Sequence, residues 1–210
     1  MDVVEMLTQI AAEISACQGC GLHHSRNKAV PGEGPAHSEI IFIGEGPGFY
    51  ENEQGRPFVG AAGQFLDDLL AQAGLERTAV WIGNVVKCRP PGNRDPLPDE
   101  LAACDKYLER QIAAIQPKII ITLGRYSMGK FMPNAKISAV HGQMRRVGDR
   151  FVIAMYHPAL ALHKASMKPD ILRDFANLPK LLEQARTVLA KSTPAPAEEI
   201  KEEPKQLRLF

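Results

Sequence analysis

With 210 residues, 45% of them apolar, and a formal net charge of +1, the chain holds enough material for one α/β domain with a substantial core. Near-neutrality removes the usual signature of a nucleic-acid binder, a strongly basic chain, although local patches act without a net excess. No apolar run approaches the ~18 residues of a membrane span, and the acidic start "MDVVEMLTQIAAEISAC" is unlike a basic secretory leader, so a cytoplasmic protein, monomeric by default, is expected.

Val3, Leu7, Ile10 and Ile14 recur at helical spacing and predict an amphipathic helix over residues 2–16. Four short apolar runs come next, at 40–43, 80–82, 119–123 and 151–155, each the length of a strand buried on both faces. Between them lie helical patterns at 61–73, 99–115 and 124–131. On the second, Leu101, Cys104, Leu108, Ile112 and Ile115 share a stripe. This alternation predicts an α/β fold, a three-layer α/β/α sandwich around a mostly parallel sheet. Residues 142–150 read as a turn or short hairpin arm. Residues 169–191 read as a closing helix or pair of helices, with Pro179 breaking or restarting it and Asn177 as a cap. The folded domain is expected over 1–190. From Ser192 the text becomes "STPAPAEEIKEEPKQ", whose composition predicts a disordered tail over 191–210, and the closing "QLRLF" does not fit that composition.

The segments just after the strands carry the chemistry. After the first comes Gly44-Glu45-Gly46-Pro47-Gly48, after the second Asn84-Val85-Val86-Lys87-Cys88, after the third Gly124-Arg125, and after the fourth Tyr156-His157-Pro158. In a parallel sheet these points share the carboxyl edge, where ligands bind. An acid (Glu45), an amide (Asn84), an imidazole (His157) and an aromatic (Phe58) can therefore converge. Singly, each is more often a turn or core residue. The glycine loop lacks the third glycine of a dinucleotide fingerprint and the Gly-Lys-Ser/Thr of a phosphate loop. Only the shared edge raises the joint weight.

The four cysteines are Cys17 and Cys20 in a Cys-x-x-Cys pair, Cys88 beyond the second strand, and Cys104 on the helix after it. Disulfides are disfavoured in a reducing compartment. Four thiolates from three segments suit tetrahedral zinc or a 4Fe–4S cube, and the spacing does not choose between them.

Taken together the pieces resemble the family 4, iron–sulfur uracil-DNA glycosylases. The match runs over about residues 10–185 through Cys17-x-x-Cys20, Gly44-Glu45-Gly46-Pro47-Gly48, Glu51, Gly55-Arg56-Pro57-Phe58-Val59-Gly60, Asn84 to Pro91, Cys104, His141-Gly142 and His157-Pro158. The resemblance implies a four-stranded parallel sheet between helices. It implies a structural 4Fe–4S cluster on Cys17, Cys20, Cys88 and Cys104. It also implies hydrolysis of the bond between uracil and deoxyribose in DNA, leaving an abasic site for repair. Phe58 would stack on the flipped base, Asn84 would read its edge, backbone at Gly46 and Pro47 would approach it closely, and His157 would donate to the uracil oxygen. Glu45 and Glu51 jointly would position water or stabilise the cation-like sugar. Asn52 stands where the family more often has Asp, and little effect is expected. The stretch "CRPPGNRDPLPDE" lacks the His with which a related branch bonds covalently to DNA, so a turnover enzyme is expected.

Candidate contacts to the DNA backbone are Lys87, Arg89, Arg94, Arg125, Lys130, Arg145, Arg146 and Lys164. The terminal Gln206-Leu207-Arg208-Leu209-Phe210 resembles the short motif by which bacterial repair proteins bind the replication sliding clamp. Two rivals are a non-enzymatic metal-containing DNA-binding module and a nucleotide hydrolase. The Glu45, Asn84, His157 constellation argues against the first, and the incomplete phosphate loop against the second.

Overall fold

The computed structural model describes residues 2–192. Helix α1 (Val3–Ala16) begins at Asp2, whose carboxylate accepts from the Glu5 amide at 2.8 Å while Glu5 accepts from the Asp2 amide at 3.0 Å. The reciprocal pair satisfies two amides that a helix start leaves unpartnered. An irregular segment then leads to β1 (Ile40–Gly44), α2 (Phe49–Gln54), α3 (Ala61–Gln72), β2 (Trp81–Asn84), α4 (Pro98–Ile115), β3 (Ile119–Leu123) and α5 (Arg125–Phe131). The chain continues through α6 (Ile137–Val140), β4 (Gln143–Val147), β5 (Arg150–Met155), α7 (Ala159–His163) and α8 (Lys168–Ser192).

The strands form one five-stranded sheet in the order β2-β1-β3-β5-β4, parallel throughout except where β4 runs antiparallel to β5. The expected count of four is thus corrected to five. The extra strand is the arm anticipated within 142–150, joined to β5 by a tight turn with Gly148 at φ 63°. Its residues are mostly exposed, as befits an edge strand carrying Gln143, Arg145 and Arg146. Such a strand lacks the apolar run by which a doubly buried one is recognised.

Side chains of the central strands alternate between two cores. Ile40, Phe42, Ile119, Ile121, Phe151 and Ile153 face one layer with Leu66, Leu69 and Leu70 of α3 and Ile171, Phe175, Leu178 and Leu182 of α8. Ile41, Ile43, Ile120, Val152 and Ala154 face the other with Leu108, Ile112 and Ile115 of α4 and Met128 of α5. Helix α1 packs outside α4 through Ile10 and Ile14 against Tyr107. The expected break at Pro179 does not occur. Helix α8 runs through it with the ring exposed and Asn177 in its interior rather than at a cap. Burial of the Ile171, Phe175, Leu178, Leu182 stripe outweighs the ~3 kcal/mol cost of an interior proline. The helix is described to Ser192, two residues past the expected 1–190 boundary. The anticipated tail beyond it, with Gln206 to Phe210, lies outside the described residues. Among the described residues no helix is long and apolar enough to cross a membrane.

Strand β1 has β2 on one side and β3 on the other, so the chain reverses direction across the sheet at this point. Loops leaving the carboxyl ends of β1 and β3 diverge there, which opens a crevice.

Candidate active site

That crevice is a cleft of about 620 Å³. Glu45, Gly46, Pro47, Glu51, Phe58, Asn84 and His157, the whole set expected from sequence, line it together with Arg125, Tyr156 and Leu162. Sequence separations of more than one hundred residues are closed by parallel pairing alone. Gly44 pairs with Asn84 in register, and Leu123 with Met155, so the four loops start at one level.

Asn84 ends β2 at 1% exposure, and its Oδ1 has no hydrogen-bond partner among the described residues. A buried amide oxygen without a partner costs roughly 1–3 kcal/mol. The oxygen lies against Gly44, where an added Cβ would stand 2.4 Å from it and 2.6 Å from Phe58 Cζ. Glycine at 44 is therefore required by the floor of the cleft, not by a turn.

Phe58 is held in the left-handed region at φ 53°, a conformation side chains rarely adopt. Charges of opposite sign lock it from both sides. Glu51, 9% exposed, accepts through Oε1 from the amides of Val59 and Gly60, both at 2.9 Å, and through Oε2 from Gly48 at 3.1 Å. Arg77 donates to the carbonyls of Pro57 at 2.6 Å and Phe58 at 3.2 Å while paired with Glu33 and Asp67. Gly63 lies beneath, where a Cβ would meet the Phe58 carbonyl oxygen at 2.0 Å. Sequence reasoning missed Arg77 and Glu33, because an Arg in a short turn before a strand looks like any solvated cation. It also left Glu45 and Glu51 unseparated. In the structure Glu51 is occupied by three amides, whereas among the described residues no side-chain hydrogen bond engages the Glu45 carboxylate.

Glu45 faces the cleft with its pKa pushed up to about 6, first by burial and then by Asp95, with Arg125 opposing. Asp95 and Arg125 pair with each other across the rim. His157 stands two residues beyond the end of β5, its ring stacked on Phe58 at 5.5 Å between centroids. Its Nδ1 accepts from the Ala159 amide at 3.1 Å. An amide only donates, so the ring proton sits on Nε2. Burial pushes the His157 pKa down to about 4 against the opposing pull of Glu51, so the imidazole is neutral near pH 7. The cleft thus presents a neutral N–H donor, an ionisable carboxylate, an unpartnered amide oxygen and an aromatic ring. On its rim stands Leu162, 53% exposed, which the sequence did not single out.

His141, part of the resemblance, is not among the cleft residues. It binds buried Asp174 at 2.7 Å, and its ring lies tilted against Tyr156 at 4.3 Å between centroids. Asn52 is buried and accepts from the Asn27 amide at 2.9 Å, a contact an Asp oxygen would also make. Of the expected phosphate contacts, Lys87 is corrected. It is 1% exposed, with Nζ donating to Gln111 Oε1 at 2.7 Å and the Pro31 carbonyl at 3.2 Å. A side chain sealed in this way reaches no phosphate. Arg94 is tied to buried Glu100, and Lys130 to Asp105 and Glu109. Arg145 and Arg146 lie on β4 at a separate groove, away from the cleft. Arg125 and Lys164 are exposed and Arg89 half-buried beside the cleft-forming loops, Arg125 in its pair with Asp95.

The four cysteines line a second, smaller cavity, with Arg26, Lys87 and Tyr107 among its walls. Cys17 caps α1, Cys20 precedes a 3-10 turn (Gly21–His24), Cys88 lies four residues beyond Asn84, and Cys104 is on α4. Donors already point at the sulfurs: Gly19 N to Cys17 at 3.4 Å, Lys87 N to Cys104 at 3.3 Å, and Arg26 Nη1 to Cys88 at 3.3 Å. Burial raises the Cys104 pKa to about 11, with Lys87 opposing. Among the described residues no three or more His, Cys, Asp or Glu are grouped so as to hold a metal ion. All four cysteines border that one cavity.

Residues 31–182 match the family model described as the uracil DNA glycosylase superfamily. The chain is similar to the Type-4 uracil-DNA glycosylase of Archaeoglobus fulgidus, at 43% identity over 85% of this chain and 94% of that protein. It is similar to those of Sulfurisphaera tokodaii, at 44% over 85% and 86%, and of Thermotoga maritima, at 38% over 89% and 96%.

Proposed function

Since the chain belongs to the uracil DNA glycosylase superfamily, we infer that it is a uracil-DNA glycosylase of DNA repair, hydrolysing the N-glycosyl bond of deoxyuridine in DNA. The bond is out of reach in a stacked duplex, so the nucleotide must turn out into the cleft. Phe58 offers a flat face for the base, worth roughly 1–3 kcal/mol. Asn84 reads the base edge. Its Oδ1 accepts the N3–H of uracil, which cytosine lacks, and its Nδ2 donates to O4, where cytosine carries an amino donor. A mismatched base leaves buried polar groups unpaired and is rejected. As the bond breaks, negative charge gathers on the uracil O2 and positive charge on the sugar. The His157 Nε2–H donates to the oxygen and remains a neutral donor throughout. Ionised Glu45 stabilises the sugar cation and orients the attacking water. Glu51 holds the Phe58 loop in place. Leu162 fills the gap that the turned-out nucleotide leaves in the stack, while Arg89, Arg125 and Lys164 contact phosphates.

Cys17, Cys20, Cys88 and Cys104 hold a 4Fe–4S cluster. The all-thiolate donor set around one cavity, with N–H groups aimed at the sulfurs, fits such a cluster, and the resemblance to the iron–sulfur glycosylases favours it over zinc. When bound it supplies no step of the hydrolysis and ties α1, the β2 loop and α4 together. The terminal Gln206, Leu207, Leu209 and Phe210 bind a sliding clamp, and deletion of 206–210 abolishes that binding while sparing activity on short oligonucleotides.

The unpartnered Asn84 oxygen at the bottom of the cleft carries this reading. It is tested by incubating the wild type and Asn84→Ala with uracil-containing, normal and mismatched DNA, then measuring free uracil and alkali-labile sites. Wild-type release from uracil DNA alone, lost in the variant, is the expected result. No free uracil, or equal release by the variant, overturns it.

A further inference from the structure

Lys87 has no role in the hydrolysis, yet it is one of the most deeply enclosed side chains in the protein, at 1% exposure. A buried ammonium is tolerated only when paired with negative charge or neutralised. Its three protons find Gln111 Oε1 at 2.7 Å, the Pro31 carbonyl at 3.2 Å and the face of Trp81 at 5.6 Å, all of them neutral. Among the described residues no carboxylate pairs with it. The charged group that acts on it is the Cys104 sulfur, in the cavity bounded by all four cysteines. Its backbone amide is also aimed at Cys104 Sγ, at 3.3 Å.

We propose that Lys87 is the buried counter-cation of the four-cysteine centre, balancing with Arg26 the charge that a tetrathiolate site carries. Four thiolates around an oxidised 4Fe–4S core leave a net charge of about −2, as they do around one zinc ion. Arg26, donating to Cys88 Sγ at 3.3 Å, supplies one positive charge from the partly exposed side. Lys87 supplies the second from the interior, where Gln111 and Pro31 hold it and water does not screen it. The Gln111 amide fits this task because it binds the ammonium and the Pro31 carbonyl together, at 2.7 and 2.9 Å, without cancelling the charge. The inference rests on the proposed binding of a metal centre by the four cysteines.

The test compares purified wild type, Lys87→Met and Gln111→Glu, each carrying its native metal. Metal content and visible absorbance are measured first, then the rate of metal loss to a chelator, then the midpoint potential by voltammetry. Lys87→Met removes the charge and keeps the length. Gln111→Glu keeps the lysine but gives it a carboxylate of its own, and covers the case in which Lys87→Met does not fold. Both variants are expected to lose metal faster, Lys87→Met by about 10- to 100-fold, and both to shift the potential to more negative values. Wild-type loss rates and potentials in both variants overturn the proposal. Purified wild type holding zinc and no iron overturns the cluster reading alone, and chelator loss of zinc then decides the role of Lys87.

Discussion

Glu45→Gln separates the catalytic demand on this carboxylate from its cost to the fold. The native pKa is raised from 4.5 to about 6 because the cleft withdraws water from the carboxylate and Asp95 repels it, with Arg125 compensating in part. A raised pKa means that the folded state holds the proton more tightly than the unfolded chain does. The associated stability is fully present below pH 4.5 and is lost as pH rises through 6. Above pH 7 the native state bears the whole cost of an ionised acid. At 1.36 kcal/mol per pH unit the ceiling is about 2 kcal/mol, and partial exposure screens it to about 1 kcal/mol. Glutamine does not ionise, so at pH 8 the variant should be more stable than wild type by about 1 kcal/mol, or ~2–4 °C in Tm. The advantage should have nearly vanished by pH 4. Uracil release should fall ~10²–10⁴-fold, and wild-type activity should climb through pH 6 with no further step down to pH 5 from His157. Thermal melts at three pH values and single-turnover release make the comparison. A stability difference of one size at all pH, or a variant that still turns over normally, would refute the reasoning.

Two further outcomes concern the floor of the cleft. Phe58→Ala loses the stacking face, so single-turnover kcat/KM on uracil DNA should drop by the equivalent of about 1–3 kcal/mol while affinity for uracil-free DNA stays the same; equal losses on both DNAs would deny Phe58 a role toward the base. Gly44→Ala places a methyl group 2.4 Å from Asn84 Oδ1 and 2.6 Å from Phe58 Cζ. Binding of free uracil, measured by calorimetry, should be lost in a protein that retains wild-type far-UV circular dichroism, and unchanged binding would show that the floor yields.

The place of the candidate site was readable in the sequence because parallel strands announce themselves as bare apolar runs, and the residues just after each run lie at the ligand edge. Glu45, Asn84 and His157 needed no more than that. Strand β4 was legible only as a turn or short hairpin arm because its side chains are mostly exposed and its pairing with β5 is a tertiary fact. Pro179 misled because local propensity points to a break, whereas the burial of Phe175, Leu178 and Leu182 on the sheet sustains the helix. Lys87 looked like a phosphate contact because lysine is normally solvated, and nothing local reveals that Gln111 and Pro31 wait inside to receive it. Glu45 and Glu51 could not be told apart for a related reason. Which acid keeps its oxygens available depends on amides contributed by Val59 and Gly60, outside the helix that carries Glu51.

The clamp on Phe58, with Glu51 holding the two following amides and Arg77 the carbonyls of Pro57 and Phe58, has a bearing on fidelity. A ring pinned on both flanks has no slack with which to mould itself around a bulkier or differently patterned pyrimidine. Selectivity then comes from refusal. On the proposed function a mutation that softened the clamp would lower accuracy and speed together rather than trade one for the other.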